Sequence, residues 1–184
     1  PLILESCEWF DTYNWSRGRL DPRYHLFRHF WETAPRKVNG VIAISRLIYE
    51  RYSRLVPNTI RIPGLADPES IKTKTYVPHE KISLAFIGEI VCNKDNVADI
   101  INAIEDAGLC AKFEFHIFGP SESDICAQLG KNSLPDFVKA HGFVKQDKLA
   151  GLLEKADYGI IIRPDRRSSH AGFPTKLVEY MRSE

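Results

Sequence analysis

Ile82-Ser83-Leu84-Ala85-Phe86-Ile87-Gly88 is apolar except for one serine and closes on a glycine. A strand that is apolar on both faces belongs inside a parallel sheet covered by helices. Residues 113–118 repeat the pattern and end at Gly119; residues 138–141 repeat it in shorter form and end at Gly142. Helical spacing fills the intervals at 96–107 and 147–155, with a short helix at 124–129. A further strand is expected at 158–162, then a polar loop at 163–173. A last helix then opens on Pro174, a residue favoured at the first helical position. This alternation predicts an α/β domain with a parallel sheet.

Towards the amino end a second strand–helix array is visible. A strand at 1–4 leads into a loop at 7–22 carrying Trp9, Phe10, Tyr13 and Trp15. Residues 23–36 place Leu26, Phe27, Phe30 and Trp31 at helical spacing. A nearly all-apolar strand at 40–45 ends on Ser45, which sits where a helix cap belongs, ahead of a helix at 47–55. Pro57 breaks that helix, and a strand at 59–62 stops at Pro63-Gly64. Residues 67–80 are polar and read as a linker. The expected domains are 1–66 and 81–184.

Bulk properties narrow the function. The 184 residues suffice for one good core or two small ones, and 43% are apolar. A net charge of +1 offers no bulk case for nucleic acid. No apolar run approaches the ~20 residues of a membrane span, and no secretory signal opens the chain. Cys7, Cys92, Cys110 and Cys126 form no C-x-x-C pair, which disfavours a disulfide framework or zinc site and suits a cytoplasmic protein. The chain opens without Met, in an apolar run, and stops soon after a helix begins, so a partial chain is expected.

Gly88, Gly119 and Gly142 close three successive strands. Ligands of open parallel sheets bind beyond the carboxyl ends of the strands. Glycine there either makes a tight turn or lets the backbone approach a ligand, and both readings stand. Lys176 and Glu179 lie three apart at the start of the last helix, so they share a face. An ammonium suits a pyrophosphate, and a carboxylate accepts from ribose hydroxyls. The plainer reading is an exposed ion pair of little worth.

The sequence Phe173-Pro174-Thr175-Lys176-Leu177-Val178-Glu179-Tyr180 resembles the signature helix of GT-B glycosyltransferases of family 4, the group 1 type. Residues 40–45 with Ile62-Pro63-Gly64 are similar to the close of that family's first domain. Phe86-Ile87-Gly88 with Lys94 is similar to its glycine–arginine–lysine turn. Phe118-Gly119 is similar to its second strand end, and His141-Gly142-Phe143-Val144 to its base-holding segment. The resemblance implies two Rossmann-like parallel-sheet domains, the first of them and the carboxyl-terminal end incomplete. It implies that Lys94 contacts the donor phosphates and Glu179 the ribose. Main-chain groups at Phe143 and Val144 meet the base, and the turn of Gly172, Phe173, Pro174 and Thr175 lies against phosphate or donor sugar, with Lys176 near by.

Two departures stand out. Glu89 replaces the usual arginine after the first glycine, and Arg163, at the end of its strand, is the candidate to supply the missing positive charge. The upstream partner of Glu179 falls at Ala171, so the adjacent His170 is the candidate for the donor sugar.

The implied activity is transfer of a sugar, with retention of configuration, from a UDP- or GDP-sugar to a glycan or lipid-linked acceptor. The setting is polysaccharide or glycan assembly. No cofactor and no metal are expected, since no D-x-D box is present. The expected location is the cytoplasm, with peripheral association at the inner face of the membrane as an extension. A GT-B nucleotide-sugar epimerase and a non-catalytic nucleotide-binding fragment are the alternatives. Two further constellations are weaker. His25 and His29 have zinc-like spacing, but Leu26 stands where a metalloprotease helix needs glutamate. Asp165, Ser168 and His170 lack a G-x-S-x-G elbow. Trp9, Phe10, Trp15 and Trp31 are able to stack on sugar, although core packing better explains Trp31.

Overall fold

The computed structural model describes residues 1–66, 80–89 and 96–182. Lys94 and the linker expected at 67–80, save residue 80, lie outside them. The chain divides into two units. One is Pro1–Leu65 with Asp165–Pro174; the other is Ala66–Pro164 with Thr175–Glu184.

The first unit is a parallel three-stranded sheet in the order β1 (Ile3–Ser6), β2 (Gly40–Ala43), β3 (Thr59–Arg61). Its helices are α1 (Pro22–Thr33), α2 (Arg46–Tyr52) and α6 (Arg167–Ala171). The Asp21 carboxylate caps α1 by accepting from the Arg23 N–H at 3.0 Å. The Arg23 guanidinium, at 2.8 Å, holds the Asp21 carboxyl well below the usual carboxylate range. The Ser45 hydroxyl caps α2 by accepting from the Ile48 N–H at 3.3 Å. Trp31, Val41, Ala43, Ile48, Tyr52, Val56 and Ala171 make the core.

The second unit contains β4 (Ile82–Ile87), α3 (Val97–Asp106), β5 (Phe113–Phe118), α4 (Glu122–Leu129), β6 (Val138–Gly142), α5 (Gln146–Leu153), β7 (Tyr158–Gly159) and α7 (Lys176–Arg182). All its strands are parallel, in the order β6-β5-β4-β7. Side chains alternate across β5. Phe115 and Ile117 join a core with Val97, Ile101 and Ile125 of α3 and α4. Phe118 joins Leu149 and Leu153 of α5 on the other face. Each such side chain contributes about 1.5–3 kcal/mol when fully buried.

The Tyr180 hydroxyl of α7 ties β7 to β4. It accepts from the Ile87 N–H at 3.1 Å and donates to the Ile160 carbonyl at 2.9 Å, with the Ala85 carbonyl at 3.3 Å. Gly159 makes room for the ring, since a Cβ there would stand 2.5 Å from Tyr180 Cγ. Tyr180→Phe leaves main-chain groups at this join unsatisfied. It is expected to destabilise the second unit by about 1–3 kcal/mol, read as a lower urea midpoint at unchanged slope.

Several sequence expectations are corrected. The loop expected at 163–173 contains α6, because burial of Ala171 in the first core anchors a short helix that the surrounding polar residues hide. Pro174 precedes the last helix instead of opening it; α7 begins at Lys176. Gly172 is extended, and the Phe173 ring packs over Gly64, where a Cβ would stand 2.3 Å from the ring. Residues 165–174 therefore belong to the first unit, although the boundary read from sequence put them in the second. The strand expected at 158–162 pairs as a ladder only at Tyr158 and Gly159, extended by the Ile160 N–H to the Ala85 carbonyl at 2.7 Å.

Candidate functional site

The strand order of the second unit carries the geometry. From β4 the chain builds outward through β5 and β6, then crosses back to place β7 on the other side of β4. Connections that leave a strand in opposite directions open a crevice at its carboxyl end, where α/β proteins bind ligands. The end of β4 is that position, and Gly88 occupies it.

The three strand-end glycines are stitched side by side. The Gly88 N–H donates to the Phe118 carbonyl at 3.0 Å, and the Gly119 N–H to the Gly142 carbonyl at 2.8 Å. Gly88 has φ +147° and Gly119 φ +119°. A Cβ on Gly119 would lie 2.1 Å from the Gly88 carbonyl oxygen. Glycine at Gly119 is therefore required by the close approach of the backbone itself.

Lys176, at the first turn of α7, is only 8% exposed. Its Nζ sits 4.2 Å from the centre of the Phe86 ring and 2.9 Å from where a Gly88 Cβ would stand. The ammonium thus lies over the end of β4, and a side chain on Gly88 would displace it. Glu179, one turn further, is half-buried and borders a groove of about 600 Å³ between α5 and α7, with Gln146, Asp147 and Arg182. Both side chains leave one helix, Lys176 towards the strand end and Glu179 towards α5.

Arg163 follows β7 and is half-buried; its Nε is buried without a hydrogen-bond partner. Beyond Gly142, Phe143 is 85% exposed, whereas Val144 packs beside Phe118 and Leu149. Glu89 is exposed, and Thr175 is exposed with its carbonyl accepting from the Val178 N–H at 2.9 Å. Next to this edge His141 stacks on Phe118 at 4.5 Å and meets His116 Nδ1 through Nε2 at 2.9 Å. Burial, with the charge of His116, holds His141 below the ordinary imidazole value.

Four of the residues expected to meet the donor, His170, Gly172, Phe173 and Pro174, fall in the first unit. There His170 Nε2 pairs with Asp165 Oδ1 at 2.6 Å. His25 is held by the Arg19 carbonyl at 2.7 Å, a structural role. Among the described residues no group of three His, Cys, Asp or Glu side chains is arranged to hold a metal ion. No helix among them is long and apolar enough to cross a membrane. Sequence reasoning missed the role of Tyr180; its only signal was a tyrosine on the last helix with a glycine in the neighbouring strand.

A family model described as "Glycosyl transferases group 1" matches residues 81–184. Two solved structures share the fold. One is a mutant of S. aureus TarM in complex with fondaparinux, alpha-GlcNAc-glycerol and UDP. It has 15% identity and a TM-score of 0.57, over 85% of this chain and 31% of that one. The other is TarM, at 13% identity and a TM-score of 0.57, over 85% of this chain and 30% of that one. The chain therefore spans about a third of the length of these structures, and the likeness is one of GT-B fold. No curated protein matches it.

Proposed function

We propose, since the chain belongs to the group 1 glycosyl transferase family, that it takes part in moving a sugar from a nucleotide-diphosphate sugar to a glycan or lipid-linked acceptor, with retention of configuration. The observation that carries this reading is the Lys176 ammonium, held over Gly88 at the end of β4. Cleavage of the sugar–diphosphate bond builds negative charge on the leaving phosphate. A fixed cation in a site shielded from water stabilises that charge as it forms. Glu179, one turn along the same helix, accepts from the two ribose hydroxyls. Arg163 supplies a second cation with its free Nε–H, and Lys94 contacts the phosphates in the same reading. The main chain at Phe143 and Val144 meets the base. UDP is the first nucleotide to try, because a structure of the same fold was solved with it. A cytoplasmic location is part of the same proposal.

Calorimetric titration with UDP, GDP and their sugar conjugates tests the assignment. Glu179→Ala is expected to weaken binding at least tenfold. A hydrogen bond to a charged group is worth about 1.5–3 kcal/mol, and about 1.4 kcal/mol is a factor of ten. Parent-like affinity in Glu179→Ala overturns the ribose role. Product analysis with and without an acceptor separates transfer from epimerisation.

A further inference from the structure

We infer that the first unit contains a binding pocket for a sugar that carries a phosphate or carboxylate group, built from the Trp9 indole and the guanidinium groups of Arg51 and Arg167. Trp9 enters from the segment after β1 and stacks on the buried Trp31, ring centres 5.0 Å apart and planes 25° apart. Arg51 comes from α2, and its guanidinium carbon lies 4.8 Å from the centre of the Trp9 ring. Arg167 comes from α6 and lies 5.2 Å from the same centre. An indole under a guanidinium orients the group through its quadrupole. Arg51 also meets the Tyr52 hydroxyl; its buried Nε–H and the Arg167 fork are left for capture of a phosphate or carboxylate.

These groups border a cavity of about 310 Å³, which Tyr24 and Trp31 also line. That is the lower range of small-molecule sites. Its charges leave a cationic excess. Arg28 is paired with Glu32 at 3.0 Å, and the Asp11 carboxylate accepts from the Thr12 N–H at 2.7 Å. Arg51 and Arg167 have no ion pair among the described residues, and Arg51 Nε is buried without a hydrogen-bond partner. A buried donor of this kind calls for an acceptor. Beside the cavity a hollow of about 600 Å³ shares Trp9, Glu32 and Arg51 and adds Arg36, Arg54 and Glu50, the last paired with Arg46 at 2.6 Å, so its lining is cationic on balance. The whole unit is biased the same way, with twelve Lys and Arg against seven Asp and Glu, although the chain carries only +1. The mainly polar lining suits the hydroxyls of a sugar, and the guanidinium forks suit its anionic substituent. Identifying this sugar as the acceptor rests on the transferase reading above; the binding itself does not.

All three tryptophans of the chain, Trp9, Trp15 and Trp31, lie in this unit, so intrinsic fluorescence reads it selectively. The full chain is titrated with maltotetraose, 6-phosphorylated maltotetraose and tetragalacturonate. At least one anionic glycan is expected to shift the emission with a Kd tenfold or more below that of maltotetraose, and which one does so identifies the group. Arg167 is exposed, so Arg167→Gln leaves folding intact and is expected to raise that Kd tenfold or more. Arg167→Lys recovers part of the loss. Arg61→Gln, outside both hollows, leaves the Kd unchanged. Equal Kd for neutral and anionic glycans overturns the pocket, as does an equal loss in Arg167→Gln and Arg61→Gln, which signals bulk charge alone. Loss of UDP binding with anionic-glycan binding kept removes the transferase reading and leaves this pocket standing; the reverse removes only the pocket.

Discussion

Gly119→Ala is expected to destabilise the second unit by about 2–6 kcal/mol. Two costs combine. A non-glycine residue at φ +119° costs about 1–3 kcal/mol. The new Cβ would also sit 2.1 Å from the Gly88 carbonyl oxygen, so the backbones of β4 and β5 must part where they are hydrogen-bonded. Overpacking of this kind costs about 1–3 kcal/mol more. Domains are stable by only about 5–15 kcal/mol in total, so the upper end unfolds the unit. Gly142→Ala is the control. It has φ +61° and nothing within 4 Å of its Cβ position, so it meets only the left-handed backbone term of about 1–2 kcal/mol. Scanning calorimetry of the two variants separates conformation from collision. Equal melting temperatures show that the two glycines are not in contact.

Lys176→Met is expected to slow sugar transfer by about 10²–10³-fold, the loss measured when one preorganised donor to a developing negative charge is removed. The methionine chain refills most of the space over Phe86. The rate is compared under conditions where the melting temperature shows parent and variant both folded, so that lost chemistry is separated from lost structure. Lys176→Arg keeps the charge but has little room, because the Lys176 Nζ already stands 2.9 Å from the Cβ position of Gly88. Its expected rate lies between parent and Lys176→Met. An unchanged rate in Lys176→Met removes Lys176 from the chemistry and returns the weight to Lys94 and Arg163.

The fold class was legible because its causes are local. The runs at 82–87 and 113–118 are apolar on both faces, and such strands need helices on both sides. Gly88, Gly119 and Gly142 mark strand ends because the turn that follows admits little else. Ser45 announced α2 through its own hydroxyl. Lys176 and Glu179 are candidates from their spacing and from the likeness of residues 173–180 to a family signature.

Order along the chain determined most of the elements and their type, with α6 as an exception, and the strand ends that close on glycine. Tertiary structure alone decided three things. It placed β7 beside β4, which puts the crevice over Gly88. It gave Tyr180 its role as the join between those strands. It assigned residues 165–174 to the first unit through Ala171 and Phe173. Periodicity reports which face of an element is apolar. Which partner covers that face depends on contacts between residues far apart in sequence, such as Phe173 with Gly64 and Tyr180 with Gly159, and a local pattern carries no record of them.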